Sequence, residues 1–98
     1  MSRASRQASL ERTRQEILEE QVRALTRISD RLQSISEECR LLYQRCQAGD
    51  KRAVPMYHQK RRAFERYLWY WVVQREAMGF RFHPRPEDWL FVPPPLHD

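Results

Sequence analysis

A regular pattern of apolar positions runs from Leu18 to Cys46. The positions recur at intervals of three and four residues for four heptads, with no Gly or Pro between them. This period is typical of a helix that packs along one seam against other helices, so it predicts a long helix. The seam consists of Leu18, Gln21, Leu25, Ile28, Leu32, Ile35, Cys39, Leu42 and Cys46, of which only Gln21 is polar.

Capping and helix-breaking residues set the limits of two helices. Ser9 is a suitable N-cap for the first helix, and Gly49 can adopt the left-handed conformation past its end. Pro55 fits only the first turn of a second helix, so a short turn makes the two helices antiparallel neighbours. The sequence therefore predicts an all-α fold with three segments: a flexible N-terminal tail at 1–8, a helical hairpin at 9–79 with helices at about 9–48 and 54–78, and an extended aromatic and proline-rich tail at 80–98.

The second helix is apolar on two sides. The broad face with Phe64 and Trp71 suits the seam of the first helix, whereas Trp69 and Val73 lie on the opposite face. Because a helix that is apolar all round is buried all round, we expect another segment to cover Trp69 and Val73. The C-terminal tail, with its apolar residues Phe82, Trp89, Leu90 and Phe91, is the expected cover. The alternative is that this tail is a free docking strip for a larger partner.

The two helices differ in length, and this difference predicts self-association. The first helix would span about 60 Å and the second about 36 Å, so the second covers the seam only back to about Leu25. An apolar stripe left in water is unusual for a monomer, so we expect a dimer, and Leu and Ile at alternate seam positions keep a tetramer open. The expected oligomer interface consists of Leu10, Ile17, Leu18, Gln21, Val22, Leu25 and Ile28.

The charge of the chain is concentrated in one short segment. The formal net charge is +5, and residues 51–66 contain six Lys or Arg but only one acidic residue, Glu65. Cations neutralise phosphates and aromatic rings stack on bases, so this segment can bind nucleic acid, while the same residues also fit an acidic protein or an anionic membrane surface. The candidate partner-binding or nucleic-acid-binding residues are Lys60, Arg61, Arg62, Arg66 and Trp69.

The sequence contains no motif that indicates catalysis, a cofactor or a metal site. Cys39 and Cys46 are seven residues apart, which on one helix separates them by about 10 Å and rules out a disulfide between them. Neither cysteine has a partner at metal-ligand spacing, and no apolar run approaches the ~20 residues of a membrane span. We therefore expect a cytoplasmic protein with reduced thiols, no catalytic residues, no metal, no cofactor and no membrane span.

These observations predict a non-enzymatic module that oligomerises through its long helix. In this interpretation it is an adaptor that binds a larger protein or nucleoprotein complex. The alternative is a nucleic-acid-binding protein that uses the basic segment 51–66 on an oligomeric helical scaffold.

Overall fold

The structure, a computed structural model that describes residues 2–97, is an antiparallel helical hairpin with an extended tail. Helix α1 spans Arg3–Gln47 and helix α2 spans Ala53–Ala77. A single 3₁₀ turn at Pro86–Asp88 interrupts the tail, and no strand occurs among residues 2–97. The predicted all-α hairpin is confirmed.

Each helix ends at a glycine with positive φ. Gly49 has φ 90° and Gly79 has φ 95°. Past each of them the backbone bonds back to the helix: the Asp50 N–H donates to the Arg45 carbonyl at 3.0 Å, and the Phe80 N–H donates to the Arg75 carbonyl, also at 3.0 Å. This six-to-one bond is that of a Schellman motif, which satisfies carbonyls that a helix end otherwise leaves open.

Helix α1 begins six residues before the predicted start at Ser9. Ser2 is its N-cap, with an extended backbone and a hydroxyl that accepts from the Ser5 N–H at 3.2 Å. The prediction of a flexible tail at 1–8 is therefore wrong for residues 3–8, which are helical. The physical reason is that these residues contain neither Gly nor Pro, so a capped helix propagates through them without a break.

The core of the hairpin follows the seam. Leu32, Ile35 and Cys39 of α1 are fully buried against Phe64 and Trp71 of α2. A second cluster, formed by Leu42 of α1 with Ala53 and Tyr57 of α2, lies nearer the turn. The seam positions from Leu32 to Leu42 and the Phe64–Trp71 face of α2 are thus buried as the pattern predicted.

The tail covers a different surface from the one expected. Trp89, Leu90 and Phe91 pack against the core cluster of Leu32, Ile35, Cys39, Phe64 and Trp71, so the tail lies along the groove between the two helices. Trp69 is left 64% exposed, and Val73 is also exposed. The prediction that the tail covers the Trp69–Val73 face is therefore wrong.

Hydrogen-bond donors in the groove explain this position of the tail. The Ser36 hydroxyl of α1 donates to the Phe91 carbonyl at 2.7 Å. From α2, the Tyr57 hydroxyl donates to the Pro94 carbonyl, and Arg61 Nε donates to the Pro93 carbonyl at 3.2 Å. The groove therefore offers the tail both apolar contact and three donors for its backbone carbonyls.

Arg75 fixes the start of the tail. Its Nε donates to His83 Nδ1 at 3.0 Å, and its Nη2 donates to the Phe82 carbonyl at 3.2 Å. The guanidinium carbon lies 5.0 Å from the centre of the Trp71 ring and 4.3 Å from that of Phe80. One side chain thus joins the last turn of α2 to the reversal of the chain that follows.

Candidate protein-binding surfaces

Helix α1 extends well past the end of α2. Every residue from Ser2 to Glu20 is exposed, and we call residues 3–20 the overhang. The contact of α2 with α1 reaches back as far as Gln21, whose carbonyl accepts from Gln74 Nε2 at 3.4 Å. Because of the overhang the molecule measures 71 × 23 × 16 Å. The overhang is about 27 Å long, about two fifths of α1.

Large apolar side chains project from this free end of α1 into solvent. Leu10, Ile17, Leu18 and Val22 are between 48% and 58% exposed. They belong to the predicted oligomer interface, and no described residue covers them. Four apolar side chains on about three turns of one helix are more than a solvated surface helix usually presents.

The remaining predicted interface residues are placed differently. Leu25 and Ile28 are half-buried and pack against the hairpin core, and Gln21 is half-buried beside α2. The physical reason is that α2 reaches further along α1 than the predicted helix lengths implied. These three residues are at most the edge of an interface with another chain.

The charges of the overhang are segregated along its length. Residues 3–14 contain four Arg and one Glu, whereas residues 15–20 contain three Glu and no cation. Glu20 is engaged within its own helix, since Arg23 and Arg27 both donate to it. These hydrogen bonds hold the pKa of Glu20 below its ordinary value. The overhang therefore has a basic first part and an acidic second part.

A second exposed surface lies on α2, on the side away from α1. We define the outer face as Arg62, Arg66, Trp69 and Val73, and all four side chains are exposed. In the part of the chain that the structure describes, neither Arg62 nor Arg66 has a carboxylate within 4.0 Å. The Trp69 ring contacts Tyr70 edge-on, with ring centres 5.8 Å apart.

The other two residues of the predicted basic site serve the fold. Lys60 Nζ lies 2.6 Å from Glu38 Oε2 and joins α2 to α1. Arg61 donates to the Pro93 carbonyl of the tail and lies 3.6 Å from Glu65. The predicted group of five residues is therefore divided between two internal contacts and three residues on the outer face.

Phe82 is an exposed aromatic residue that the sequence interpretation counted among the tail residues covering α2. It is 89% exposed, while its neighbour His83 is half-buried with its ring centre 5.8 Å from that of Trp71. The signal for this was available, because side chains alternate between two sides in an extended chain. If His83 faces α2, Phe82 has to face away from it.

Two buried groups are held in their neutral forms. Burial raises the pKa of the Cys39 thiol to about 11, and burial also raises the pKa of the Tyr57 hydroxyl to about 12. Within residues 2–97 no three His, Cys, Asp or Glu side chains come together as a metal site. Neither α1 nor α2 combines the length and the apolar character needed to cross a membrane.

Similarity to known proteins adds nothing to these surfaces. None of the family models, curated proteins or solved structures compared with the chain matches it. The function has to follow from the exposed faces themselves.

Proposed function

We propose that this protein is a non-enzymatic assembly module that self-associates through the overhang of α1 and presents its hairpin to a larger protein. The observation that carries the proposal is the row of exposed apolar residues on the overhang and just after it, at Leu10, Ile17, Leu18 and Val22. Within residues 2–97 of a single chain no other element covers this row, because the two helices and the tail pack together without it. A second copy supplies a matching surface, because it has the same row.

The energetics allow association of this kind. Full burial of one Leu, Ile or Val side chain stabilises by about 1.5–3 kcal/mol, and two copies bring eight such side chains that are now half-exposed. The gain is set against the cost of association, which is about 4–15 kcal/mol. At the low end of that cost the surplus reaches about 8 kcal/mol, which corresponds to micromolar dissociation, so we expect a reversible dimer rather than an obligate one.

The segregated charges favour an antiparallel arrangement of the two overhangs. An antiparallel pair sets the basic part of each copy, residues 3–14, against the acidic part of the other, residues 15–20. A parallel pair would set arginines against arginines and glutamates against glutamates. The antiparallel arrangement also keeps the two hairpins at opposite ends, where each is free to bind a partner.

Direct binding of nucleic acid is the weaker alternative. A protein that binds a phosphate backbone needs several free cations in a row. Lys60 and Arg61 are engaged with Glu38 and with the tail, which leaves Arg62 and Arg66 as the free cations of the predicted site. This division of the basic residues supports a protein partner.

Self-association is tested with two double variants, which carry the same substitutions to Lys in different parts of the molecule. Leu18→Lys with Val22→Lys introduces two charges into the exposed apolar row; we call it the overhang variant. Leu41→Lys with Met56→Lys introduces the same charges at positions that are 48% and 47% exposed but lie on the hairpin half of the molecule. Light scattering at tens of micromolar should give a dimer mass for the unmodified protein and the control, and a monomer mass for the overhang variant.

Three results bear on this proposal. A monomer mass for the unmodified protein would contradict self-association, and a dimer that survives in the overhang variant would place the interface elsewhere. For orientation, chains with Glu11→Cys and chains with Gln21→Cys can be mixed in a Cys46→Ser background, because these two positions are opposite each other when Leu10 of one copy meets Val22 of the other. An antiparallel pair forms the mixed cross-link faster than either like-with-like cross-link.

A further inference from the structure

We infer that the outer face of α2 binds an acidic amphipathic helix of a partner protein. This inference rests on the proposed assembly function and adds the chemistry of the partner. The outer face consists of Arg62, Arg66, Trp69 and Val73, which are all exposed and which the tail leaves uncovered.

The spacing of the outer face fits a helix. Its residues follow at intervals of 4, 3 and 4, which places them in one straight row about 17 Å long. A row with this period forms one side of a helix-packing seam, and a second helix provides the other side. A partner helix of about three turns laid along α2 would contact all four side chains.

The row is divided in its chemistry, and the division specifies the partner. Arg62 and Arg66 occupy one half, and within residues 2–97 no carboxylate lies within 4.0 Å of either. Trp69 and Val73 occupy the other half. The complement is a helix with carboxylates toward one end and aliphatic or aromatic side chains toward the other.

This complement favours a protein over a nucleic acid. Arginine and tryptophan are the residues that most often dominate the energetics of protein interfaces. An exposed Trp69 alone could stack on a base, but the aliphatic Val73 offers nothing to a phosphate backbone. Two free arginines are also few for a polyanion, whose binding strength grows with the number of phosphates neutralised.

Binding can be measured with synthetic peptides, because Trp69 is exposed while Trp71 is buried and Trp89 is half-buried. The probe is a helical peptide of about 18 residues with Leu at every third and fourth position and Glu beside them in one half. Its control has Lys in place of each Glu. A fluorescein-labelled single-stranded oligonucleotide of about 20 nucleotides tests the other class of partner.

Two charge-reversal variants distinguish the effect of the outer face on binding from the effect of the protein's net charge. Arg62→Glu with Arg66→Glu reverses the outer face. Lys51→Glu with Arg52→Glu makes the same change in charge at two exposed residues next to the turn. A third variant, Trp69→Ala, removes the aromatic side chain without touching the core, since Trp69 is outside both core clusters.

The expected result is binding of the acidic peptide that weakens by at least about tenfold in the Arg62–Arg66 variant and in Trp69→Ala. The Lys51–Arg52 variant should bind within about threefold of the unmodified protein, because surface charges outside an interface contribute little. The Lys-containing peptide should not bind. Binding should also shift the emission of Trp69 to shorter wavelength, and the Trp69→Phe protein should lack this shift.

Four results would overturn the inference. The first is that the acidic peptide does not bind at about millimolar concentration. The second is that both charge variants lose peptide binding equally, and the third is that the Arg62–Arg66 variant keeps peptide binding. The fourth is that the oligonucleotide binds more tightly than the peptide. The dimer mass of the Arg62–Arg66 variant is measured in parallel by light scattering. A variant that stays dimeric and loses the peptide separates this site from self-association, and a monomeric protein that still binds the peptide leaves only the self-association proposal wrong.

Discussion

The two halves of α1 belong to one continuous helix but have opposite surroundings. From Gln21 to Gln47 the helix packs against α2 and the tail, and its seam residues Leu32, Ile35 and Cys39 are fully buried. From Arg3 to Glu20 it has no tertiary contact that buries a side chain. The helical conformation is the same, while the forces that maintain it differ.

The comparison shows how an exposed helix can be maintained by a buried one. An isolated helix of 18 residues is marginal in water because its first turn is costly to form. The hairpin supplies that first turn, and each further residue then adds one hydrogen bond for one residue fixed. The overhang is therefore an extension of the hairpin that is ordered enough to present a surface but contributes little to the stability of the fold.

We expect the largest loss of stability from removal of the tail, which packs against the hairpin part of the molecule. A chain that ends at His83 loses Trp89, Leu90 and Phe91, which now shield the core. We expect a loss of about 3–6 kcal/mol in the free energy of unfolding, by the burial scale for large apolar side chains. Urea unfolding followed by circular dichroism measures it. A control chain without residues 97–98 should unfold as the full chain does, and equal stability of the chain that ends at His83 would show that the tail is dispensable.

The most direct test of the comparison uses one substitution in each part of α1, and we expect a smaller loss of unfolding free energy than from removal of the tail. Ile35→Ala removes a fully buried side chain and should lower the free energy of unfolding by about 2–5 kcal/mol. Ile17→Ala changes an exposed residue of the same type and should alter it by less than about 0.5 kcal/mol when measured on monomers at low concentration. At high concentration Ile17→Ala should weaken the dimer. Similar losses of monomer stability in both variants would mean that the overhang packs against the hairpin in solution.

Tyr57→Phe should have a smaller effect that depends on pH. The variant loses the hydrogen bond to the Pro94 carbonyl, so we expect about 1 kcal/mol of destabilisation at neutral pH. The pKa of Tyr57 is raised to about 12 from an ordinary value near 10, so the folded state favours the protonated hydroxyl. Its contribution is complete below pH 10 and is lost as the pH rises through 12.

The difference in unfolding free energy between the unmodified protein and Tyr57→Phe isolates this residue. The buried thiol of Cys39 also favours its protonated form and is present in both proteins, so the effect of its own burial cancels, while its charge contributes to the raised pKa of Tyr57. A difference that stays constant between pH 9 and pH 12 would contradict the role assigned to the Tyr57 hydroxyl.

The smallest effect is on thiol reactivity and leaves stability unchanged. Cys39 is fully buried with its pKa raised to about 11 by burial, whereas Cys46 is half-buried. The reactive species is the thiolate, so a disulfide reagent such as Ellman's reagent should modify one thiol quickly in the folded protein and both in denaturant. Cys46→Ser should remove the fast phase. Fast modification of Cys39 would indicate that the tail opens often.

The elements of the fold could be predicted because their determinants are local. The seam of α1 and the glycine at residue 49 each act through residues close in sequence, and both are found. The start of α1 was missed because Ser2 and Ser9 are equally good caps as types of residue. Only the absence of a helix breaker between them favoured the earlier one.

The position of the tail could not be predicted, because its hydrogen bonds to the helices involve its backbone and not its side chains. Ser36, Tyr57 and Arg61 bind it through backbone carbonyls, which every sequence possesses. The same contacts removed Arg61 from the predicted basic site. Arg62, Arg66 and Trp69, whose surroundings depend on no such contact, are exposed on the side of α2 that the spacing indicated.

The overhang also changes how the protein moves through a solvent or a gel matrix. A compact chain of 98 residues has a radius of gyration of about 13 Å, whereas this one has 19.5 Å. Friction on such a shape exceeds that on a sphere of equal mass, so even a single chain of 12.0 kDa should elute from a gel-filtration column ahead of globular standards of its mass. Sedimentation velocity, which separates frictional ratio from mass, should give a high frictional ratio for the monomeric Leu18–Val22 variant and an even higher one for an end-to-end antiparallel pair.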